Sequence, residues 1–445
     1  MRAPGTAPVR ILATSGQESS GSRTARTREG VTFVLRQINV GVKSLADYHS
    51  IIARDLMTEI RELAHDLGDL RVCHVNATSF GGGVAEILYS LVPLMNDVGL
   101  HADWRVMFGR EEFFNVTKAM HNALQGSPRI ITAEEQRTFE RYNLVNAGGL
   151  DGDYDVVIIH DPQPIGIRGN TSGLDSAKWI WRCHIDLSDP NPQVLEYLRP
   201  MIAGYDATVF HMPQYVPHGS IAPAVIIPPA IDPLTPKNMA LSTEDAEYIV
   251  HQFGLDIEHP LLLQVSRFDP WKDPLGVIDA YRVVAEQVPG VQLALVGSMA
   301  TDDPEGWEYY NRTVDYADGD SNIFILSNLN NVGGIEVNAF QTQANTVIQK
   351  SVREGFGLTV TEALWKARPT IGGNTGGIPL QISDGDTGYL VDSPAECAQR
   401  ALDILRDPNR AREMARRGKE HVRAEFLTPR LLRDWLRLFA ELTRD

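Results

Sequence analysis

Short apolar runs alternate with amphipathic stretches along the chain from about residue 70. The run at 70–76 leads through a glycine-rich turn into a stretch at 84–100 whose apolar residues recur at helical spacing. Further strand-like runs follow at 104–108, 155–161, 178–184 and 207–211. Apolar strands that alternate with helices are typical of a parallel sheet covered on both faces. The pattern therefore predicts an α/β domain in the first half of the chain.

A proline-rich segment then interrupts the pattern. Seven prolines lie within 212–236, and prolines end regular elements and often mark a junction between domains. A second alternating series follows, with apolar runs at 261–268, 292–297, 323–328, 345–351, 369–373 and 388–392. We predict an α/β protein of two facing Rossmann-like domains that bind ligands in the cleft between them. The predicted parts are a flexible tail at 1–30, domains at 31–222 and 223–428, and a helix at 429–445 that packs back on the first domain.

Composition narrows the class of protein. The chain has 445 residues, 43% hydrophobic and 22% charged, which is ordinary for a globular protein and excludes disorder throughout. Its net charge of −16 opposes binding to nucleic acid or anionic lipid, and its apolar runs are too short to span a bilayer. Three widely separated cysteines form no disulfide framework or zinc pattern, and the first 30 residues lack the apolar core of a secretion signal. We expect a cytoplasmic protein without nucleic-acid or membrane partners.

The segment REGFGLTVTEAL at 353–364 carries the strongest chemical signal, because it joins a predicted strand to a predicted helix. Gly355 and Gly357 permit a close approach of the backbone to a ligand. The helix start, near Leu358 and Thr359, offers unpaired N–H groups and the positive end of a helix dipole. These features suit a diphosphate.

Two glutamates flank that helix start. Glu354 precedes the glycines and Glu362 lies eight residues later. Carboxylates accept hydrogen bonds from hydroxyl groups, so a sugar at one glutamate and a ribose at the other would suit both. A glycine turn beside a solvent-facing glutamate is the alternative interpretation of the same residues.

Two cations follow the first strand of the predicted second domain. Arg267 and Lys272 lie on one loop that Pro270 and Pro274 restrain. Cations near a helix start would hold a departing diphosphate. An ordinary charged surface loop is the alternative.

A glycine loop, Gly81 to Gly83, lies between strand and helix in the predicted first domain. Its spacing is not that of a dinucleotide-binding motif, and no P-loop lysine follows. Contact of Gly82 and Gly83 with a phosphate or a sugar fits better, and a tight structural turn is the alternative.

Polar side chains also end two neighbouring predicted strands of the first domain. His160 and Asp161 end one, and His184 and Asp186 follow the next at the alternating spacing of an extended chain. A structural histidine is the common case, but four polar groups at adjacent strand ends favour a site. The Asp-Gly-Asp triplets at 151–153, 318–320 and 384–386 indicate turns rather than metal ligands.

Taken together, these motifs resemble those of the retaining glycosyltransferases of family 4, which have two facing Rossmann-like domains in the GT-B architecture. Glu354 and Glu362 match that family's E-x7-E motif, and Arg267 and Lys272 match its phosphate-binding pair. A closer resemblance is to the trehalose glycosyltransferring synthase family. It is carried by VNATSFGGGVAEIL (75–88), FFNVTKAMHNALQG (113–126), IHDPQP (159–164), WRCHIDLSDPN (181–191) and LSNLNNVGGIEVNAFQ (326–341).

The resemblance implies a retaining transfer of glucose from a nucleoside diphosphate glucose to free glucose, which gives α,α-trehalose reversibly. It implies that Glu362 contacts the ribose and Glu354 the hydroxyls of the donor sugar. The loop that begins at Asn328 is a candidate contact for the base. Arg267 and Lys272 would stabilise the charge that grows on the leaving diphosphate.

The remaining site residues lie in the first domain. We expect His184 near the reacting end of the donor, and Asp161 and Asp186 at the hydroxyls of the acceptor. No pair of carboxylates clearly fits the nucleophile and acid of a retaining glycosidase. We therefore expect attack from the same face as the leaving group, as this family is usually described.

Several points stay open at the level of sequence. The family is also similar to the retaining trehalose phosphorylases, and another acceptor or a non-catalytic sugar-nucleotide sensor is an alternative. We expect no required cofactor, although a divalent cation could stimulate the reaction. A homodimer is a further expectation.

Overall fold

The computed structural model describes residues 35–219, 222–299 and 304–444. The predicted tail at 1–30 lies outside the described residues. Within those ranges the chain forms two α/β units, each built around one sheet. Among the described residues, no helix combines the length and the apolar composition that crossing a membrane requires.

Over the described ranges, the first sheet has seven strands in the order β1-β3-β2-β4-β5-β6-β7. They are β1 (Arg36–Gln37), β2 (Arg71–Asn76), β3 (His101–Val106), β4 (Val156–His160), β5 (Lys178–Arg182), β6 (Ala207–Phe210) and β7 (Ala224–Ile226). All pairings are parallel except that of β1 with β3. The helices of this unit are α1 (Arg54–Leu67), α2 (Gly83–Asp97), α3 (Glu111–Leu124), α4 (Ala133–Ala147), α5 (Ile167–Asn170) and α6 (Pro192–Ile202).

The second sheet, in the part of the chain that the structure covers, has six parallel strands in the order β10-β9-β8-β11-β12-β13. They are β8 (Leu261–Val265), β9 (Gln292–Gly297), β10 (Ile323–Ser327), β11 (Thr346–Gln349), β12 (Thr370–Gly373) and β13 (Tyr389–Val391). Its helices are α7 (Thr243–His251), α8 (Pro274–Ala285), α9 (Pro304–Ala317), α10 (Gly334–Gln343), α11 (Leu358–Trp365), α12 (Ile378–Gln381), α13 (Pro394–Arg406) and α14 (Pro408–Glu425). This is the strand order of a Rossmann fold.

Buried apolar strands explain why both sheets are covered on two faces. All five residues of β4 and all five of β8 are buried, as expected for central parallel strands. Alternate residues of the first sheet point to different cores: Ile158 and Ile180 to one, Trp179 and Trp181 to the other. The strand positions expected from the alternating pattern are confirmed to within a few residues.

A last helix, α15 (Thr428–Thr443), follows the second unit but packs on the first. It crosses back where Ile231 and Leu427 form a bridge between the two connecting segments. Leu431 and Trp435 enter the same apolar cluster as Ile158 of the first sheet. The first unit therefore completes its core with residues from the far end of the described chain.

Two strands lie outside the predicted pattern. The antiparallel β1 has two residues, too few to show a period. The strand β7 pairs with β6 and lies beyond the predicted domain boundary at 222. The pattern does not predict this strand because its three residues lie inside the proline-rich segment. The first sheet therefore extends to Ile226.

Candidate active site

Each sheet has a topological switch point, where the strand order reverses, beside the cleft between the units. In the second sheet the change falls between β8 and β11, and in the first between β2 and β4. Ligands of open α/β sheets bind outside the carboxyl ends of the strands at such points. The loops that follow these four strands contain most of the residues expected from the sequence.

Lys272 and Glu354 meet at the switch point of the second sheet. The Lys272 Nζ lies 2.6 Å from Glu354 Oε2, and the Ser351 hydroxyl donates to the same oxygen at 3.1 Å. Both side chains of the pair are mostly buried, with 15% and 10% exposed. An ammonium group carries three donors, so Lys272 keeps donors for a ligand while it holds Glu354.

Arg267 lies on the same loop and is more open. Its guanidinium pairs with Asp269 at 3.0 Å, and 62% of its side chain is exposed. Its positive charge also reaches His121 of α3, in the first unit: burial is the main cause that lowers the pKa of His121 to about 4, and Arg267 adds to it. Arg267 therefore stands at the mouth of the cleft.

The start of α11 faces the first unit across a narrow gap. Gly357, the residue before the helix, has φ +84, a left-handed conformation that favours glycine. Opposite it, a Cβ on Gly83 would come within 2.9 Å of Leu358 Cδ1. A Cβ on Gly355 would lie 3.0 Å from the backbone oxygen of His184. Gly83 and Gly355 thus lie where the two units touch.

Glu362 lies deeper than expected. It is fully buried, and Lys237 Nζ lies 2.9 Å from its Oε1 while Gln341 donates to its Oε2 at 3.3 Å. The same lysine reaches Glu86 of α2 at 3.2 Å. Lys237 therefore ties this glutamate to the first unit. No sequence motif marks Lys237, which lies in the segment that joins the two units.

Asn328 has its side chain turned to its own domain. Its amide group accepts from the Met299 backbone N–H at 2.7 Å and donates to the Met299 backbone oxygen at 3.1 Å. It thereby fixes the loop after β9, while Leu329 beside it is 55% exposed. The structure does not bring Asn328 together with Lys272 and Glu354.

His184 belongs to a row of imidazoles across the first sheet. His160 Nδ1 lies 2.9 Å from His184 Nε2, and His160 Nε2 lies 3.0 Å from His74 Nδ1. His211, after β6, meets His184 edge to face at 5.5 Å. Burial lowers the pKa of His74 to about 3 and that of the other three well below the usual value. All four rings are therefore neutral at physiological pH.

Asp161 is held in an unusual backbone conformation beside His184. Its φ is +65, and its Oδ1 accepts from the His184 backbone N–H at 2.7 Å. Burial raises its pKa to about 7, while that hydrogen bond and Arg182 act in the opposite direction. Asp186 instead accepts from the Ser188 backbone N–H and hydroxyl at 2.9 and 2.5 Å, so one of its oxygens is used within its own loop.

Tyr215 gives no signal in the sequence but closes the site from the first unit. Its buried hydroxyl lies 3.0 and 2.9 Å from the backbone oxygens of Glu354 and Gly355, and it donates to one of them at a time. Its ring also meets that of His211 at 6.1 Å. Tyr215 therefore holds the loop that carries Glu354 against the first unit.

The three Asp-Gly-Asp triplets lie away from these groups. Each contains a glycine of positive φ: Gly152 at 122, Gly319 at 69 and Gly385 at 74. Asp-Gly is typical of such turns.

The fold has close relatives among solved structures. A UDP-forming α,α-trehalose-phosphate synthase from Burkholderia xenovorans, solved with glucose 6-phosphate, superposes with a TM-score of 0.66 at 15% identity. The match covers 84% of this chain and 100% of that one. With two facing α/β units and a cleft at both switch points, the molecule has the GT-B fold, which confirms the predicted fold.

Sequence comparison is more specific. Residues 74–217 match a family described as trehalose synthase, N-terminal domain, and residues 246–421 match glycosyl transferases group 1. A trehalose synthase from Rubrobacter xylanophilus is 61% identical over 414 residues, which cover 92% of this chain and 99% of that protein. A trehalose synthase from Pyrococcus horikoshii is 45% identical over 413 residues, with the same coverage. The chain belongs to the trehalose synthase family.

Proposed function

We propose that this enzyme transfers glucose from a nucleoside diphosphate glucose to free glucose and retains the α configuration, so that the product is α,α-trehalose. The observation that supports this most directly is the pairing of Lys272 with Glu354 beside the start of α11, opposite the neutral row of histidines. One side of the cleft suits an anionic leaving group, and the other suits uncharged hydroxyls.

The nucleotide lies on the second unit in this proposal. The diphosphate takes the N–H groups at Leu358 and Thr359, where the helix dipole favours an anion. Arg267 and Lys272 stabilise the charge that develops as the sugar–phosphate bond breaks, which is the largest catalytic contribution of this kind of site. Glu354, held by Lys272 and Ser351, accepts from the hydroxyls of the donor sugar.

The acceptor glucose lies on the first unit. Asp161 and Asp186 accept from its hydroxyls, and His184 stands near the reacting end of the donor. The acceptor oxygen attacks from the face that the diphosphate leaves, and the leaving phosphate takes the proton of that hydroxyl. The glycine loop at Gly82 and Gly83 closes the cleft from the side of the first unit, and this closure keeps out water as a competing acceptor.

Glu362 needs one rearrangement in this scheme. Its carboxylate is paired with Lys237, and it contacts the ribose only if that lysine shares it or turns wholly to Glu86. The ammonium already reaches both carboxylates, so the exchange requires no new partner.

The experiment is direct. The protein is incubated with glucose and with ADP-, UDP- or GDP-glucose or glucose 1-phosphate in turn, donor binding is measured by calorimetry, and proton NMR identifies the anomeric configuration of any disaccharide. We expect α,α-trehalose with at least one donor, and continued turnover in EDTA because Arg267 and Lys272 serve the leaving group. A β linkage would refute retention. Turnover only with glucose 1-phosphate would make the enzyme a phosphorylase, and binding of donor without any product would make it a sensor.

A further inference from the structure

The three imidazoles of His74, His160 and His184, here called the histidine row, form an unbroken chain of hydrogen bonds. His74 and His160 lie on the neighbouring strands β2 and β4, and His184 follows the end of β5. The ring centroids are 5.3 and 5.2 Å apart, and the planes are tilted by 25° and 19°. His74 is 0% exposed and His160 is 2% exposed. Two nitrogen–nitrogen contacts of 3.0 and 2.9 Å join them. The row runs from the core of the first unit to the cleft.

Each contact holds one proton, and this couples the three rings. A neutral imidazole has one N–H and one bare nitrogen. If His74 donates from Nδ1, then His160 accepts at Nε2 and donates from Nδ1, so that His184 accepts at Nε2 and carries its own proton on Nδ1. In the reverse arrangement all three rings carry the proton on Nε2. Any mixture leaves a contact with two protons or none.

The buried end of the row selects between these two arrangements. The Nε2 of His74 is buried and has no hydrogen-bond partner among the described residues. The His74 ring also packs edge-on against that of Trp435 of α15, with centroids 6.2 Å apart, and an indole offers a donor but no acceptor atom. A buried N–H without an acceptor is the rarer and more costly defect. Nε2 of His74 is therefore the bare nitrogen.

At the other end, His184 reaches the cleft. Its ring is only partly buried, and its backbone oxygen lies against Gly355. The described residues provide no hydrogen-bond partner for its Nδ1. We propose that His74 and His160 act as positioning residues that hold His184 in the Nδ1–H tautomer, so that a neutral N–H is presented to an oxygen of the bound sugar nucleotide. The ligand in this statement rests on the proposed function, whereas the tautomer does not.

The row cannot conduct protons in this arrangement. Every N–H of the row points toward the cleft, so a relayed proton could move only outward and would have to be replaced at His74 Nε2, which has no partner among the described residues to supply it. The three rings therefore fix an orientation rather than exchange protons with solvent. A fixed N–H on His184 Nδ1 favours a ligand atom that accepts a hydrogen bond, such as a sugar or phosphate oxygen, over a group that can only donate one.

The tautomer can be read in the ligand-free protein. Nitrogen-15 NMR of protein labelled at histidine distinguishes a protonated ring nitrogen from a bare one. We expect a protonated Nδ1 and a bare Nε2 for His184 and for His160. The opposite pattern, or shifts averaged between the two forms, would overturn the proposal whether or not the protein makes trehalose.

Two substitutions at His160 distinguish its hydrogen bond to His184 from its role in filling space. In His160→Asn the amide nitrogen stands where Nδ1 stood and can donate to His184, whereas His160→Leu fills space without a donor. We expect His160→Leu to lower kcat about tenfold, the scale of one hydrogen bond, with averaged nitrogen shifts at His184. We expect His160→Asn to recover most of the loss.

The control is His211→Asn, because His211 touches the His184 ring without a hydrogen bond to it. It should leave the nitrogen shifts of His184 unchanged. Equal loss of kcat in both His160 variants with unchanged shifts would reduce His160 to a packing residue, and thermal unfolding of each variant identifies any that fails to fold.

Discussion

The carboxyl edge of the first sheet and that of the second meet at one cleft, yet they carry different chemistry. On the first sheet the histidines are kept uncharged by burial. On the second, Lys272 pairs with Glu354 and Lys350 with Asp273. Neutral rings can orient hydroxyl groups without attracting ions, whereas fixed charges stabilise an anion as it forms. The difference shows how two similar folds can divide one reaction between them.

The largest effect should come from the charged side. Lys272→Met should lower kcat by about 10²- to 10³-fold, because its charge stabilises the leaving diphosphate more in the transition state than before it. Lys178→Met is the matched control, since Lys178 lies at the amino end of β5 and so at the opposite edge of the first sheet. Steady-state kinetics with a nucleoside diphosphate glucose measures both. A kcat for Lys272→Met within a few-fold of the parent would remove Lys272 from the mechanism.

The neutral histidines of the first sheet should make the stability of the protein fall in acid. The folded-state pKa of His74 is about 3, below its unfolded value near 6.5, so the unfolded chain binds more protons as pH falls below about 6.5. Stability is therefore complete above that pH and is lost as pH falls toward the folded pKa. By pH 5 this one ring should cost about 2 kcal/mol.

That loss is measured by urea unfolding at pH 7.5 and at pH 5. His74→Leu should lose less stability between the two conditions than the parent does, although it starts lower. His251→Gln, a change at an exposed histidine of the second unit, should behave like the parent. An equal pH dependence in the parent and in His74→Leu would mean that His74 is not neutral in the folded protein.

The smallest effect should come from Glu362, which Lys237 ties to the first unit. Glu362→Gln should raise the KM for the donor about tenfold and leave kcat nearly unchanged, because the ribose is remote from the reacting carbon. Glu86→Gln removes the carboxylate to which Lys237 would turn, so it should raise the same KM by a smaller factor. A collapse of kcat in Glu362→Gln would show that this glutamate faces the transferred sugar.

Much of the fold can be predicted from the sequence because each core strand is an apolar run long enough to show its period. Exceptions are β1, which has two residues, and β7, whose three residues lie among prolines. The site is harder to predict. Glu354 and Lys272 each belong to a recognisable sequence motif. Their contact cannot be read from those motifs, because the two residues are 82 positions apart and meet only through the order of the strands.

The residues that sequence reasoning missed have a common cause. Lys237, Tyr215 and His74 act through partners in distant segments, and no local spacing marks them. His74 lies in the strand-like run at 70–76 and is buried in β2 like its apolar neighbours. A lone histidine in such a run is ordinary, and the row appears only when β2 and β4 lie side by side.

The crossing of α15 has a consequence for how the protein is made. A ribosome synthesises this helix after every strand of both sheets, yet Trp435 and Leu431 cover the face of the first sheet next to His74. At ordinary rates of translation, the nascent first unit waits on the order of tens of seconds with that apolar face uncovered. A premature stop before residue 428 would therefore leave the core of the first unit, rather than that of the second, incomplete.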